Sequence, residues 1–349
     1  MVANTFPDRV HDATLGYFQI LSMYLGIRLG LYEALDDAEL TSEDLAERAG
    51  IDARYAREWC EQQATIGVLV ADTTREAHTF RLLEDVRESL LDPDSVSYLG
   101  ATIRQLAGLR SMIDPVVEAY RTGAGVHPET FGAESADGQG GSNRPVYMTT
   151  LRTEWLPNIA PFRTALEAGP TRVLDIGCGQ GWSSIAVALA YPQASVDGYD
   201  PDAYSIEHAR SHAEDAGVAD RVRFHVADAA TIETTADLAM AFECVHDMPN
   251  PVEVLAAARR ALADRGAMLV VDERTRERFD GTFDARDAYY YGWSIFDCLP
   301  AGRASTPSAA TGTVMRPETL RGYAEEAGFT RFEVLPIDHD AFRLYLLRP

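Results

Sequence analysis

The stretch Val173-Leu174-Asp175-Ile176-Gly177-Cys178-Gly179-Gln180-Gly181-Trp182 decides how this chain is read. An apolar strand runs into glycines at alternate positions, and a helix follows from near Trp182. Glycines at such a point let the backbone turn sharply and let a ligand lie directly against main-chain N–H groups. Strand, glycine turn and helix together form the opening unit of an α/β sheet.

The same rhythm continues toward the C-terminus. Strands are expected at 171–176, 195–199, 222–227, 237–242, 267–272, 331–337 and 342–348, with helices between most of them. Asn250 is placed to cap a helix with Pro251 at its first position, Glu253 completing a capping box and Gly266 just past its end. Pro317 and Gly328 bracket another helix. The last two strands follow without a helix between them and should pair as a hairpin. The expected fold is therefore α/β, a seven-stranded Rossmann-like sheet whose last strand is antiparallel, which is not the ordinary dinucleotide fold.

Asp200 closes the second strand, where an acidic group can accept hydrogen bonds from both hydroxyls of a ribose. A nicotinamide dinucleotide would call for a further glycine at position 182, and Trp182 stands there. The pattern Asp175-x-Gly177-x-Gly179-x-Gly181 instead resembles motif I of class I S-adenosylmethionine-dependent methyltransferases. Asp228-Ala229, after the strand VRFHVA, stands where that family binds the adenine amino group. The resemblance implies a cofactor-binding set of Asp175, Gly177, Cys178, Gly179, Asp200, Pro201, Asp228, Ala229 and Phe242. In it the backbones of Gly177 and Gly179 contact the methionine part, and Asp200 holds the ribose. Pro201 packs near the adenine, Asp228 binds its amino group, and the Phe242 carbonyl accepts from the methionine ammonium. The cofactor implied is S-adenosyl-L-methionine, with S-adenosyl-L-homocysteine as product.

The fourth strand ends in Glu243-Cys244-Val245-His246-Asp247-Met248-Pro249, beside the crevice where open sheets bind ligands. Histidine titrates near neutrality and can take a proton from a hydroxyl. The segment resembles the His-Asp-Trp stretch of small-molecule O-methyltransferases, with Met248 in place of the tryptophan. That likeness implies His246 as general base and Glu273 as the acid that orients it. A bland reading makes His246 a helix-entry residue bound to nearby backbone. His208 and His212, four apart on one helix, lack a third ligand for a metal and read as a solvated face, and His225 reads as structural. No metal is expected. Residues 274–316 form an insert whose Tyr290, Trp293 and Phe296 suit either an apolar pocket over a planar substrate or internal packing.

Toward the N-terminus, residues 12–35 are dense in Leu, Ile, Tyr and Met. Thr41 offers an N-cap and Gly50 a helix end; a second helix from Asp52 places Tyr55, Trp59 and Ile66 on one face. Val68–Ala71 and His78–Leu82 flank a polar tip as a hairpin, giving a winged-helix pattern. Its second helix carries Asp52, Arg54, Arg57, Glu58 and Glu61, which is no basic face, so a dimerisation and lid module is expected rather than a DNA reader. Residues 123–144, rich in Gly, Ser, Asp and Glu, read as a flexible loop. The domains expected are 1–95, a winged-helix dimerisation domain; 96–168, a helical linker and lid; and 169–349, the methyltransferase domain.

The order of these parts is similar to small-molecule O-methyltransferases. A closer likeness is to actinobacterial winged-helix methyltransferases, through Cys298-Leu299-Pro300 and Thr311-Gly312-Thr313-Val314-Met315-Arg316-Pro317. The family implies a homodimer and a small-molecule substrate. Composition narrows the rest. In 349 residues with a net charge of −23, every cationic side chain except histidine is arginine, which excludes a lysine Schiff base and a P-loop lysine. The acidity argues against nucleic acid. Four scattered cysteines form no CxxC pair, no run approaches a membrane span, and MVANTFPDRVHD lacks the features of a signal peptide, so a cytoplasmic enzyme is expected. Oxygen, nitrogen and carbon stay open as acceptor. A ligand-sensing regulator, or an enzyme that binds the cofactor for another reaction, remains a rival.

Overall fold

The computed structural model describes residues 5–349; residues 1–4, part of the stretch read for a targeting signal, lie outside the described residues. The chain divides into two units, one of residues 1–108 with 137–145 and the other of 109–136 with 146–349.

In the first unit, α1 (Phe6–Arg28) begins at a capping box between Thr5 and Asp8, and a single turn, α2 (Leu31–Ala34), follows. The short strand β1 (Leu40–Thr41) leads into α3 (Ser42–Ala49), where Thr41 Oγ1 accepts the Asp44 N–H and Gly50 ends the helix in the left-handed region. Next come α4 (Ala53–Thr65), capped by Asp52, and the strands β2 (Leu69–Asp72) and β3 (Thr79–Leu82), which form an antiparallel sheet ordered β1-β3-β2. Its core gathers Leu31, Tyr32, Leu45, Trp59, Cys60 and Phe80. The face that α4 buries is Ala56, Trp59, Cys60 and Gln63. Tyr55, expected beside Trp59, is instead exposed, because it lies in the first turn, at the margin of that face.

Two further helices, α5 (Glu84–Leu91) and α6 (Gly100–Gly108), complete the early part of the chain, and α7 (Ile113–Thr122) belongs to the second unit. Residues 123–144 are only in part the loop that their composition suggests: 123–127 have no regular structure and a 3-10 turn spans Pro128–Thr130, but α8 spans Gly132–Val146. Glycine in a helix interior costs about 1 kcal/mol relative to alanine, so propensity opposes this helix. Contact favours it: a Cβ on Gly138 would lie 2.7 Å from Gln105 Cβ, and one on Gly141 would lie 2.7 Å from Ala101 Cβ. The missing side chains let α8 lie directly on α6.

After Pro145 the chain continues as a π-helical segment (Tyr147–Trp155), then α9 (Leu156–Asn158) and α10 (Ala160–Ala168). The second unit is then built on β4 (Thr171–Ile176), α11 (Trp182–Ala190), β5 (Ala194–Asp200), α12 (Ala203–Asp215), β6 (Val222–Val226), β7 (Ala236–Phe242), α13 (Pro251–Ala261) and β8 (Leu262–Glu273). The insert holds α14 (Ala285–Phe296) and α15 (Cys298–Gly302); α16 (Pro317–Glu326), β9 (Arg331–Val334) and β10 (Phe342–Arg348) end the chain. The sheet order is β6-β5-β4-β7-β8-β10-β9, parallel from β6 to β8, with β10 antiparallel to both neighbours. Central strands such as β4 and β7 are buried on both faces, which explains their continuous apolar runs.

Two details around α13 differ from expectation. Asn250 occupies the cap position without a side-chain cap, because its amide donates to Asp228 Oδ2 and Glu253 Oε2. Gly266 lies inside β8, not after a helix; there its Cβ position is only 3.0 Å from the Asp237 carbonyl oxygen, an approach that suits glycine.

The glycines predict opposite signs for one kind of substitution. Gly138→Ala should lose about 1–3 kcal/mol through overpacking. Gly322→Ala, at an exposed α16 position with nothing within 4 Å of a Cβ, should gain about 0.5–1 kcal/mol. Urea unfolding of the two variants checks both signs.

Candidate active site

The turn from β4 to α11 needs glycine for three separate reasons. Gly177, Gly179 and Gly181 all have positive φ, at 65°, 49° and 83°. A Cβ on Gly177 would stand 2.6 Å from Cys244 Cβ, and one on Gly181 would stand 2.5 Å from the Phe224 ring. Around Gly179 the Cβ position has nothing within 4 Å. The first glycine thus admits the loop after β7, the third packs helix against sheet, and the second borders open space.

The expected cradle of outward N–H groups is only partly present. Gly177 and Cys178 donate to the Tyr199 carbonyl at 2.8 and 3.2 Å, and Gly179 donates to Asp200 Oδ2 at 2.9 Å. The amides therefore tie the turn to β5. Asp175 is engaged too: its Oδ2 accepts the Ser183 and Ser184 hydroxyls at 2.5 and 2.6 Å, pinning β4 to the first turn of α11. Burial pushes the carboxyls of Asp175 and Asp200 up to about 6 each.

The remaining cofactor candidates lie along the same edge. Asp228 caps a short 3-10 turn through Ala230 N–H at 2.8 Å, with Ala229 buried and Pro201 exposed. Cys178 is buried, its thiol beside Gly198. Phe242 closes β7, its ring 5.6 Å from Tyr147. Trp182 stacks on His212 at 4.2 Å, and His212 and His208 each face a backbone carbonyl, of Gln180 and Tyr204. His225 pairs with Asp197 at 3.0 Å.

Beyond β7 the structure gathers an acid-rich cluster around one imidazole. His246 is 2% exposed, with Nδ1 at 3.0 Å from Asp272 Oδ1 and 3.1 Å from Glu273 Oε2. Burial alone would lower its pKa, but Glu273 and Asp272 hold it well above the ordinary histidine value. Burial drives Asp247 up to about 7 against the pull of His246, and drives Glu243 and Glu273 up as well. The Cys298 thiol also lies against His246. Glu273 is thus brought to His246 as the sequence suggested. Asp272, Glu243, Asp247 and Tyr147 were missed; the adjacent acids closing MLVVDE were the one available signal for Asp272.

The three aromatic candidates of the insert are not brought together. Tyr290 is buried and its hydroxyl donates to the Ala341 carbonyl at 2.5 Å. Trp293 is half-buried, edge-on to Tyr289 at 6.0 Å. Phe296 packs on the cluster of Met112, Val116 and Val126.

Comparison with known proteins agrees with this architecture. Residues 169–327 match the family model described as a methyltransferase domain, and residues 19–90 match the Rv2258c-like winged HTH domain. Residues 169–327 thus form a methyltransferase domain, of the kind that uses S-adenosylmethionine, behind a winged-helix domain at residues 19–90. Among the chain's relatives is the N,N-dimethyltransferase OxyT of Streptomyces rimosus, 25% identical over 93% of this chain and 91% of that protein. In fold it is similar to PigF, solved with SAH, at a TM-score of 0.77 and 17% identity, covering 99% of both chains. The mitomycin 7-O-methyltransferase MmcR has a TM-score of 0.72 and 20% identity, over 98% of this chain and 97% of that one. No described helix is long and apolar enough to cross a membrane.

The open space at Gly179 makes a sharp test. Gly179→Ala should cost only about 1 kcal/mol of stability, for its left-handed backbone. It should weaken S-adenosylhomocysteine binding at least tenfold if the ligand lies there. Thermal unfolding and calorimetric titration separate the two effects.

Proposed function

We propose that this enzyme methylates a small, hydroxylated or aromatic metabolite, with His246 as the general base for transfer to oxygen. The observation that carries the reading is the buried pair of His246 Nδ1 and Asp272 Oδ1 at 3.0 Å. A carboxylate on Nδ1 fixes the proton there and leaves Nε2 as the accepting nitrogen. Glu273, at 3.1 Å, adds negative charge that stabilises the imidazolium formed when the acceptor gives up its proton.

The cofactor, when bound, supplies a methyl group on a positively charged sulfur. Asp228 would hold the adenine amino group, Asp200 the ribose, and the turn from Gly177 to Gly179 the methionine end; Asp175 and Cys178 support that turn. Pro201, Ala229 and the Phe242 carbonyl would complete the contacts. Tyr290, Trp293 and Phe296 would face the substrate from the insert, Trp293 and Phe296 being the half-buried members. Alignment of the acceptor with the methyl is worth roughly 7–11 kcal/mol in favourable cases, and a general base adds about 10²–10⁴-fold.

A second reading, an amine acceptor, is favoured by OxyT, whose name describes an N,N-dimethyltransferase, together with the carboxylates of Glu243, Asp247, Asp272 and Glu273 around His246. A neutral amine needs no base, so the two acceptors differ in their dependence on His246.

The protein should act as a homodimer in the cytoplasm. Phe6, Val10, Leu15, Tyr17, Phe18 and Leu25 of α1 are exposed, an apolar surface suited to a second copy of the chain. DNA is a poor partner for α4, because Arg54 pairs with Glu58 and Arg57 with Glu43. Light scattering on the purified protein should return twice the chain mass.

Incubation with methyl-labelled S-adenosylmethionine and a fractionated metabolite extract tests the function. Label should enter a small organic product; label confined to protein or RNA would overturn the substrate class. With a hydroxyl acceptor, His246→Gln should lower kcat by about 10²–10⁴-fold while cofactor affinity changes little. The wild-type rate should rise with pH through an inflection above the ordinary histidine value, since a base held high must first lose its proton. Full turnover in His246→Gln would favour the amine reading.

A further inference from the structure

Glu243 is a half-buried carboxyl to which the oxygen-transfer chemistry above gives no role, and it sits on an unusual backbone. It is one of few described non-glycine residues with positive φ, at 52°, a conformation costing of order 1–3 kcal/mol. Such strain persists only where the surroundings fix it. Here the Glu243 N–H donates to the Val271 carbonyl at 2.8 Å, and its Oε1 accepts the Tyr147 hydroxyl at 2.9 Å.

Strand order gives this carboxyl its meaning. Along the edge of β6, β5, β4 and β7 stand Asp228, Asp200, the glycine turn and Glu243, in that order. An extended ligand with adenine at the first and ribose at the second carries its amino-acid end to the last two. Cys244 confirms the closeness: its thiol meets the Ile176 carbonyl at 3.2 Å and its Cβ abuts Gly177. Tyr147, which holds Glu243, also feels the charge of Asp175 at the root of the turn.

We infer that Glu243, oriented by Tyr147, is the anionic contact for the α-ammonium group of the cofactor's methionine moiety. The inference rests on the cofactor placement proposed above. The charged groups facing Glu243 are Glu273 from β8, and His246 and Asp247 from its own loop, with the Tyr147 hydroxyl from the π-helical segment. Burial beside Glu273 favours the protonated carboxyl, and an arriving ammonium favours the carboxylate, so binding should expel a proton.

Two ligands separate this contact from the rest of the site. S-adenosylhomocysteine carries the ammonium, whereas 5′-methylthioadenosine has the same adenosine and sulfur without it. In calorimetric titration, Glu243→Gln should weaken S-adenosylhomocysteine at least tenfold and leave 5′-methylthioadenosine within twofold of wild type. Titration in two buffers of different ionisation enthalpy should show proton release with S-adenosylhomocysteine for wild type and a reduced release for Glu243→Gln. Tyr147→Phe should weaken S-adenosylhomocysteine selectively by a few fold, and carries the test if Glu243→Gln does not fold. Equal weakening of both ligands, or of neither, would overturn the assignment. Failure of both ligands to bind wild type would instead remove the cofactor placement beneath it.

Discussion

The turn from β4 into α11 is the constraint on which the catalytic unit depends. A parallel strand can deliver its chain to the sheet edge, but the helix must then start within a few residues and fold back on the sheet. Three positive-φ glycines make that reversal, and two carboxylates lock it. Asp175 ties the strand to the helix through Ser183 and Ser184, while Asp200 ties the turn to the neighbouring strand through Gly179. Both acids are thus engaged in bracing the turn.

From that turn the charge distribution changes across the sheet. On the β5 and β6 side, single acids stand at successive strand ends. On the β7 and β8 side, Glu243, Asp247, Asp272 and Glu273 crowd around His246. Burial pushes the carboxyls of Glu243, Asp247 and Glu273 above the ordinary carboxylate range, which favours their protonated forms. A ligand that brings positive charge is favoured there, and its arrival redistributes those protons.

Most of the sheet was legible because its signals are local. The strands β4 and β10 carry the limits expected from their apolar runs, and the Thr41 cap and Gly50 end of α3 follow from residue type alone. Residues 132–146 misled because their glycines signal a loop unless one knows that α6 lies against them. The expected N–H cradle is only partly present for a related reason: the amides of residues 177–179 bond to β5, a partner only the fold reveals. In the site, His246 and Glu273 stood out by position, whereas Asp272 was overlooked beside Glu273. Tyr147 and Glu243 are 96 positions apart and could be joined only by the folded chain.

A crystal structure with S-adenosylhomocysteine tests the central claim most directly, since the account places one ligand along four strand ends. It predicts adenine at Asp228, ribose hydroxyls on Asp200, and the amino-acid end over the glycine turn toward β7, with His246 beyond the sulfur. A ligand bound elsewhere, or running in the reverse direction along this edge, would contradict the account.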